Sequence, residues 1–278
     1  MAKCKFCGKD AGLLRGVHQE CQVIFEAEKS QVEDLAASAA TSKTELKKLE
    51  NKLTEMKSNS FLSEADFKEI LISAFDIAVA EALEDDLLEE SEEDALVSYM
   101  KHFDLKQDDI NEENSYTKLI QAGILRDTLE GKISERVRIQ GHLPFNLLKS
   151  ERIIYVYNQV EYHEPRSRTT YSGSSSGVNV RIAKGVYYRI GGFKGTPQVT
   201  SQITHVDTGV FAITNKHIYF TGSSKSFRVA YPKIVSFSPY TDGLGIQRDA
   251  TSAKPQIFSG IDGWFVYNLV MNLSKLAL

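Results

Sequence analysis

Four potential metal ligands near the N-terminus constrain this chain more than any other feature of its sequence. They are three cysteines and one histidine in the spacing Cys4-x2-Cys7-x10-His18-x2-Cys21. A Cys-x2-Cys turn presents two thiolates from one tight loop, and zinc takes four such soft or borderline ligands in a tetrahedron. Gly8 follows the second cysteine, where the chain must turn sharply. The spacing therefore predicts one zinc ion held by these four side chains.

A closed set of four protein ligands indicates a structural ion, because no coordination position is left for a substrate. The chain has 3 cysteines and all of them lie in this motif, which is typical of a metal site in a reducing compartment. Residues 1–22 are too few to form an apolar core, so we expect the ion to supply most of their stability. The motif resembles the short Cys3His zinc fingers of the treble-clef or zinc-ribbon kind.

A stretch without glycine or proline follows the motif, from residue 26 to residue 58. Mostly apolar residues recur in it at alternating spacings of three and four, which predicts a coiled-coil helix over residues 23–58. The positions of this seam are Val32, Leu35, Ala39, Ser42, Leu46, Leu49, Leu53 and Met56. We expect the seam to form a homo-oligomer through residues 26–58. Packing against another helix of the same chain is the alternative that the pattern leaves open.

Residues 61–143 read as a compact and strongly acidic helical bundle. Ser63 and Asp66 have the spacing of a capping box, and three helices with one apolar face each are expected after it. From residue 61 to residue 115 the chain carries 18 acidic and 3 basic residues, a net charge of −15. A solvated acidic face is the plainest explanation of this charge.

The acidic bundle resembles the TerB-like helical domains of tellurite-resistance and related bacterial stress proteins. The resemblance rests on the run from Ala80 to Leu88, on Glu92-Glu93 and on the run from Leu96 to Leu105. Acidic residues of that family are thought to bind cations, which here implies Asp85, Asp86, Glu89 and Glu93. We favour the solvated face, because the chain has no DxDxDG-type ligand loop.

The character of the chain changes near residue 144, and residues 145–278 are rich in β-branched and aromatic residues. Short strands are expected, among them Gly209–Thr214 and His217–Thr221 around an Asn215-Lys216 turn. An apolar helix over Asp262–Leu276 closes the chain. Many short strands followed by one helix predict a sheet or barrel capped by that helix, and therefore an α+β protein overall.

The run from Thr208 to Gly222 resembles a hairpin of bacterial PH-like and GRAM-like domains, with the core Ile213-Thr214-Asn215-Lys216-His217-Ile218. The run from Phe227 to Ser236 resembles its continuation. This resemblance implies a bent antiparallel sheet with a C-terminal helix at one end. It also implies binding of lipids, peptides or other domains, because enzymes are rare among such proteins.

Residues 145–278 carry 15 basic and 7 acidic residues, a net charge of +8. Five of the basic residues lie in or beside a glycine- and serine-rich insertion over Pro165–Gly195, namely Arg166, Arg168, Arg181, Lys184 and Arg189. They could form a mobile binding loop for an anionic partner, such as a membrane. We favour an ordinary long hairpin with solvated arginines.

Catalysis and nucleic-acid binding find little support. The chain has no Walker P-loop, no GxGxxG and no HExxH motif, and its cysteines are committed to the zinc motif. The overall charge of −4 argues against a nucleic-acid partner.

With no apolar run of membrane-spanning length and no signal-like start, we expect a cytoplasmic location. As a whole the chain resembles multi-domain bacterial cytoplasmic proteins. We therefore expect a non-enzymatic zinc-binding adaptor or scaffold with a protein partner, in stress response or phage defence. Peripheral membrane binding is the alternative.

Overall fold

The computed structural model describes residues 2–12, 16–56, 60–85, 87–139, 141–170, 178–183, 186–190, 198–250 and 252–276, with residues 167–201 described by backbone alone where they fall within these ranges. The chain forms two compact units, Met1–Gly123 and Ile124–Leu278. The first is helical and carries the cysteine motif. The second is built on an antiparallel sheet and ends in a helix, so the expected mixture of helices and antiparallel sheet is confirmed.

The helices of the first unit follow the apolar periodicity closely. In chain order they are α1 (Gln19–Thr41), α2 (Leu46–Met56), α3 (Glu64–Ala82), α4 (Glu90–His102) and α5 (Ser115–Leu129), whose last residues belong to the second unit. The predicted capping box opens α3. Ser63 Oγ accepts from the Asp66 amide, and the Asp66 carboxylate accepts from the Ser63 amide at 2.7 Å. These bonds to Ser63 lower the pKa of Asp66.

The predicted helix over residues 23–58 is interrupted. α1 ends at Thr41, Ser42 is extended, and α2 begins at Leu46. Hydroxyl groups account for the break, because Ser and Thr side chains compete with the backbone for hydrogen bonds. Thr41 Oγ1 donates to the Ser38 carbonyl at 3.2 Å, and the hydroxyls of Ser42 and Thr44 lie 2.9 Å apart.

The seam lies inside the first unit. Six of its positions are buried, and they join apolar residues of α3 and α4 in one core cluster; they are Val32, Ala39, Leu46, Leu49, Leu53 and Met56. α1 packs on α2, α3 and α4. The break turns α2 back, so that both halves of the seam reach one core. Packing within the chain therefore accounts for the periodicity without a second copy.

We predict that Leu49→Ala destabilises the first unit by about 2–5 kcal/mol, because it deletes a fully buried side chain and leaves a cavity. Chemical denaturation followed by circular dichroism measures this loss. The neighbouring change Glu50→Ala, on the exposed face of α2, is the control and should cost less than about 0.5 kcal/mol. A Leu49→Ala protein that is as stable as wild type but dissociates from an oligomer would contradict the intramolecular seam.

The second unit contains nine strands, one α-helix and a three-residue 3-10 helix (Tyr231–Lys233) among its described residues after α5. The strands and the α-helix are β1 (Ile153–Thr170), β2 (Val178–Ala183), β3 (Val186–Ile190), β4 (Gln198–Thr214), β5 (His217–Gly222), β6 (Ser226–Ala230), β7 (Ile234–Tyr240), β8 (Gly243–Arg248), β9 (Gln256–Ser259) and α6 (Gly263–Leu276). Seven of them form one antiparallel sheet in the order β6-β5-β4-β1-β9-β8-β7. The predicted turn at Asn215-Lys216 joins β4 to β5. The short strand β9 was not predicted, because its four residues carry no readable alternation.

The predicted insertion is part of an extended ladder. β1 and β4 stay paired well beyond the sheet, as far as the partners Thr170 and Gln198, and β2 and β3 pair with each other as a separate two-stranded sheet. This ladder agrees with the long-hairpin alternative. The Ser172–Gly177 tip lies outside the described residues.

A buried carboxylate ties the start of the sheet to the β4–β5 hairpin. Glu151 Oε1 accepts from Thr214 Oγ1 at 2.6 Å and from His217 Nδ1 at 2.8 Å. Its other oxygen accepts from the Tyr219 hydroxyl at 2.7 Å and from the Leu148 amide at 2.9 Å. Burial alone would raise the pKa of Glu151, but these four hydrogen bonds outweigh burial and lower it. Polar residues of the β4–β5 hairpin thus bind the Glu151 side chain of the same chain.

We predict that Glu151→Gln destabilises the second unit by about 2–4 kcal/mol. The neutral amide loses charge-assisted hydrogen bonds, and its NH2 group faces hydrogen-bond donors in place of acceptors. Because the folded state lowers the pKa of Glu151, its contribution is complete at neutral pH. It declines as the pH falls below about 4.3, the ordinary glutamate value. Thermal unfolding across pH measures both effects. Glu130→Gln, at an exposed pair with Lys132, is the control.

Candidate metal centre

A small hairpin presents the first two ligands. Lys3 and Asp10 form an isolated antiparallel bridge, and inside it the Cys4 amide donates to the Lys9 carbonyl at 2.7 Å. The Gly8 amide donates to the Cys4 carbonyl at 2.9 Å. Gly8 has a φ of +72°, a conformation that glycine adopts without steric cost. This position explains the glycine that follows the Cys-x2-Cys turn.

The other two ligands come from the start of α1. His18 is the N-cap residue of that helix and Cys21 lies in its first turn, so the two side chains are presented from adjoining positions. The His18 amide donates to Cys4 Sγ at 3.4 Å. The amide groups of a helix N-terminus carry partial positive charge, which favours thiolates beside them.

The four ligand atoms converge on one point. The sulfur atoms of Cys4, Cys7 and Cys21 and a ring nitrogen of His18 all lie within 4.8 Å of one another. His18 Nδ1 is 3.3 Å from Cys7 Sγ and 3.8 Å from Cys21 Sγ. A tetrahedral ion with metal–sulfur and metal–nitrogen bonds of about 2.3 and 2.1 Å requires an S···N edge of about 3.6 Å. The arrangement can therefore hold a single metal ion.

A hydrogen bond orients the histidine. Nε2 of His18 lies 2.9 Å from the Asp10 carbonyl oxygen, which can only accept, so Nε2 carries the proton. Nδ1 then presents its lone pair to the three sulfur atoms. Metal-binding histidines usually have such a partner on the second ring nitrogen, which fixes both tautomer and ring orientation. Sequence reasoning did not find the role of Asp10, because a main-chain carbonyl leaves no signature in residue identity.

The thiols differ in acidity. Burial opposes ionisation of Cys4, but backbone amides of Cys7, His18 and Phe6 point at its sulfur and lower its pKa to about 6. Burial and the neighbouring sulfur atoms raise the pKa of Cys21 to about 11. The hydrogen bond to Asp10 and contact with Cys7 raise the pKa of His18. The cluster therefore retains protons that a bound cation must displace, and cation binding becomes weaker as the pH falls.

An aromatic contact fastens the metal-binding hairpin to the helices. The ring of Phe6, between the two first cysteines, stacks on Phe25 of α1 at 4.8 Å and lies 5.5 Å from the ring of Phe61. The ammonium group of Lys5 lies 5.2 Å from the centre of the Phe6 ring, a cation–π distance. The Cys4–Cys7 turn thus packs against α1 and against the residues that precede α3.

The other predicted site residues do not form a comparable cluster. Among the residues that the structure describes, the cysteine motif is the one group of three or more potential ligand side chains at metal-binding distance. In the acidic set, Glu89 is the N-cap of α4 and forms a capping box with Glu92. Asp85 accepts from the Leu87 amide at 3.0 Å, and Asp86 lies outside the described residues.

The structure describes the basic set only in part. Arg166 is exposed on β1 opposite Gln202, and Arg168 pairs with Thr200 further along the same ladder. Arg181 of β2 pairs with Tyr187, and Arg189 of β3 pairs with Asn179. Lys184 lies outside the described residues. The backbone thus distributes these residues over two ladders.

Comparison with protein-family models and with curated proteins finds no match to this chain. Among the described residues, none of the helices combines the length and the apolar character needed to cross a lipid bilayer.

We predict that the purified protein contains one metal ion per chain and that Cys7→Ser reduces this to well below one. The substitution removes one of four ligands, and it should also release Phe6 from Phe25 and Phe61. Elemental analysis and the NMR signals of the Phe6 ring measure the two effects. Lys9→Ser, in the same hairpin but outside the ligand set, is the control. A wild-type protein with far less than one ion per chain would contradict the prediction.

Proposed function

We propose that this chain is a non-enzymatic, zinc-binding adaptor of the bacterial cytoplasm that recognises a protein partner through its C-terminal unit. The observation that carries the proposal is the architecture of that unit. One antiparallel sheet is followed by a terminal helix that packs on β7 and β8. The resemblance of residues 208–236 to PH-like and GRAM-like domains implies this arrangement, and such domains generally act as recognition modules.

The role of the hairpin motif supports a binding module over an enzyme. Thr214 and His217 have the chemistry of a catalytic site, but both donate to the buried carboxylate of Glu151. Asn215 is likewise used within the fold, because its side-chain oxygen accepts from the Arg152 amide at 2.8 Å. These polar residues hold the sheet together, which accounts for them without a substrate.

Zinc is the ion that the donor set fits best. Three thiolates and one imidazole in a tetrahedron are the ligands of structural zinc sites, whereas calcium and magnesium require oxygen. All four positions are filled by the protein, so the ion stabilises the N-terminal hairpin and positions Phe6 on the helices. The TerB-like resemblance of the acidic helices suggests a role in stress response or phage defence.

Peripheral membrane binding is the second candidate, and the net charge of residues 145–278 favours it. Each Lys or Arg near an anionic bilayer adds about 1 kcal/mol to binding, and salt weakens the attraction. Arg166 is exposed, as such a contact requires.

We predict that the immobilised full chain captures a defined protein from the lysate of its source organism and does not float with vesicles containing phosphatidylserine. Mass spectrometry of the captured material and vesicle flotation, run side by side, measure the two outcomes. Flotation without protein capture would overturn the adaptor proposal in favour of membrane binding.

Charge reversal separates a basic binding face from a solvated one. Arg166→Glu with Arg168→Glu should reduce binding if the insertion contacts the partner, with little change in the thermal midpoint. Lys225→Glu with Lys254→Glu, at exposed positions outside the insertion, is the matched control. If both double variants bind as wild type does, the arginines of the insertion form only a solvated face.

A further inference from the structure

A groove between β7 and α6 exposes apolar side chains on the second unit. We call it the β7–α6 groove and define it by residues that line two depressions along β7 and α6, namely Val235, Phe237, Tyr240, Trp264, Tyr267 and Met271. Trp264 is 52% exposed and Val235 is 67% exposed. Trp264 is the one tryptophan of the chain. Exposed tryptophan and tyrosine are enriched where protein surfaces bind other proteins.

Close backbone packing builds this groove. A Cβ atom on Gly263 would lie 1.8 Å from the carbonyl oxygen of Tyr240, so α6 begins closer to the β7–β8 turn than any residue but glycine permits. This contact places Trp264 beside Pro239 and Tyr240. Tyr267 and Met271 follow at helical spacing and continue the same row along α6.

The solvent side of α6 is mixed, with an apolar row towards the groove and Asn268, Asn272 and Lys275 beside it. Its inward face buries Phe265, Val266, Leu269, Val270 and Leu273 in the core of the unit. Trp264, Tyr267 and Met271 lie on the groove side, which a surface helix normally fills with charged residues. The exposed apolar row of α6, together with Val235 of β7, is therefore the part of this surface on which another protein can pack.

The adjoining sheet edge lacks the usual protection. β6 and β7 are the two edge strands of the seven-stranded sheet. Charged side chains keep such edges from pairing with other strands, and β6 carries Arg228 at its centre. β7 contains no charged residue from Ile234 to Tyr240. A bulge beside Val235 and the missing amide proton of Pro239 shorten the part of β7 that can pair with another strand. Side chains must therefore provide most of the contact with any protein that binds at this edge.

The charges at the two ends of the groove are opposite. At one end, the exposed Lys233 and Lys275 are the chain neighbours of the lining residues Ile234 and Ser274. At the other end, Asp242 follows the lining residue Thr241. Lys233 also lies 3.4 Å from Asp249, but both side chains are largely exposed and such pairs are weak. A second groove turned end to end would place each basic end against an acidic end. A two-fold interface requires such self-complementarity.

We propose that the β7–α6 groove is the contact surface between two copies of this chain, related by a two-fold axis, with their β7 strands antiparallel. The contact would cover Val235 and the apolar row of Trp264, Tyr267 and Met271. The dimer proposal does not depend on the metal centre or on the proposed protein partner, so each of the three can be disproved separately.

Sedimentation equilibrium of the full chain tests the proposal. We expect a dimer with a dissociation constant in the micromolar range, as for interfaces of modest size, and at least about tenfold weaker association for Trp264→Glu. Ile77→Glu, at a 50% exposed apolar position on α3, is the matched control and should dimerise as wild type does. A monomeric wild type, or a Trp264→Glu protein that dimerises normally, would overturn the proposal.

Charge reversal tests the two-fold arrangement separately. Lys233→Glu and Asp242→Lys should each weaken the dimer, because each variant creates like-charge contacts at both ends of the interface. An equimolar mixture of the two variants should associate again, because each variant supplies the charge that the other lost. The recovered association should weaken with salt. A mixture that sediments no differently from the separate variants would exclude the antiparallel arrangement.

Discussion

The ionised side chain of Glu151 is the interaction on which the second unit depends. It lies where the chain enters the sheet, and it receives hydrogen bonds from a hairpin more than sixty residues later. A buried carboxylate is costly unless its oxygens are fully hydrogen-bonded, so the network either forms completely or destabilises the fold. This requirement sets the position of the β4–β5 hairpin relative to β1. The neighbouring strands and α6 are then added to that fixed pair.

The first unit is stabilised in a different way, and its two parts depend on each other. The helices have an apolar core of their own, whereas the hairpin of residues 3–10 contributes two of the four converging ligands and α1 contributes the other two. Phe6 joins the two parts, because it lies between two ligand cysteines and stacks on Phe25. The position of the ligand cluster is therefore coupled to the packing at the start of α3.

The functional proposals assign different surfaces to different tasks. The ligand cluster is closed and so serves architecture, and the polar residues of the hairpin motif are used inside the fold. The groove between β7 and α6 is left as an uncovered apolar surface of the second unit. An adaptor that dimerises through this groove would present two copies of every other binding surface, which strengthens attachment to a repeated or membrane-bound partner.

Local patterns of the sequence determined the features that depend on spacing alone. The metal ligands, the capping box at Ser63 and the Asn215-Lys216 turn were predicted because each needs a few residue types at short, fixed separations. Tertiary structure decided the rest. The heptad seam specified an apolar stripe but not its partner, and the hydroxyls at Ser42 and Thr44 let it fold back into its own unit. The roles of Glu151, the Asp10 carbonyl and Trp264 depend on groups that are distant in sequence and close in the fold. The order of residues alone does not show these contacts.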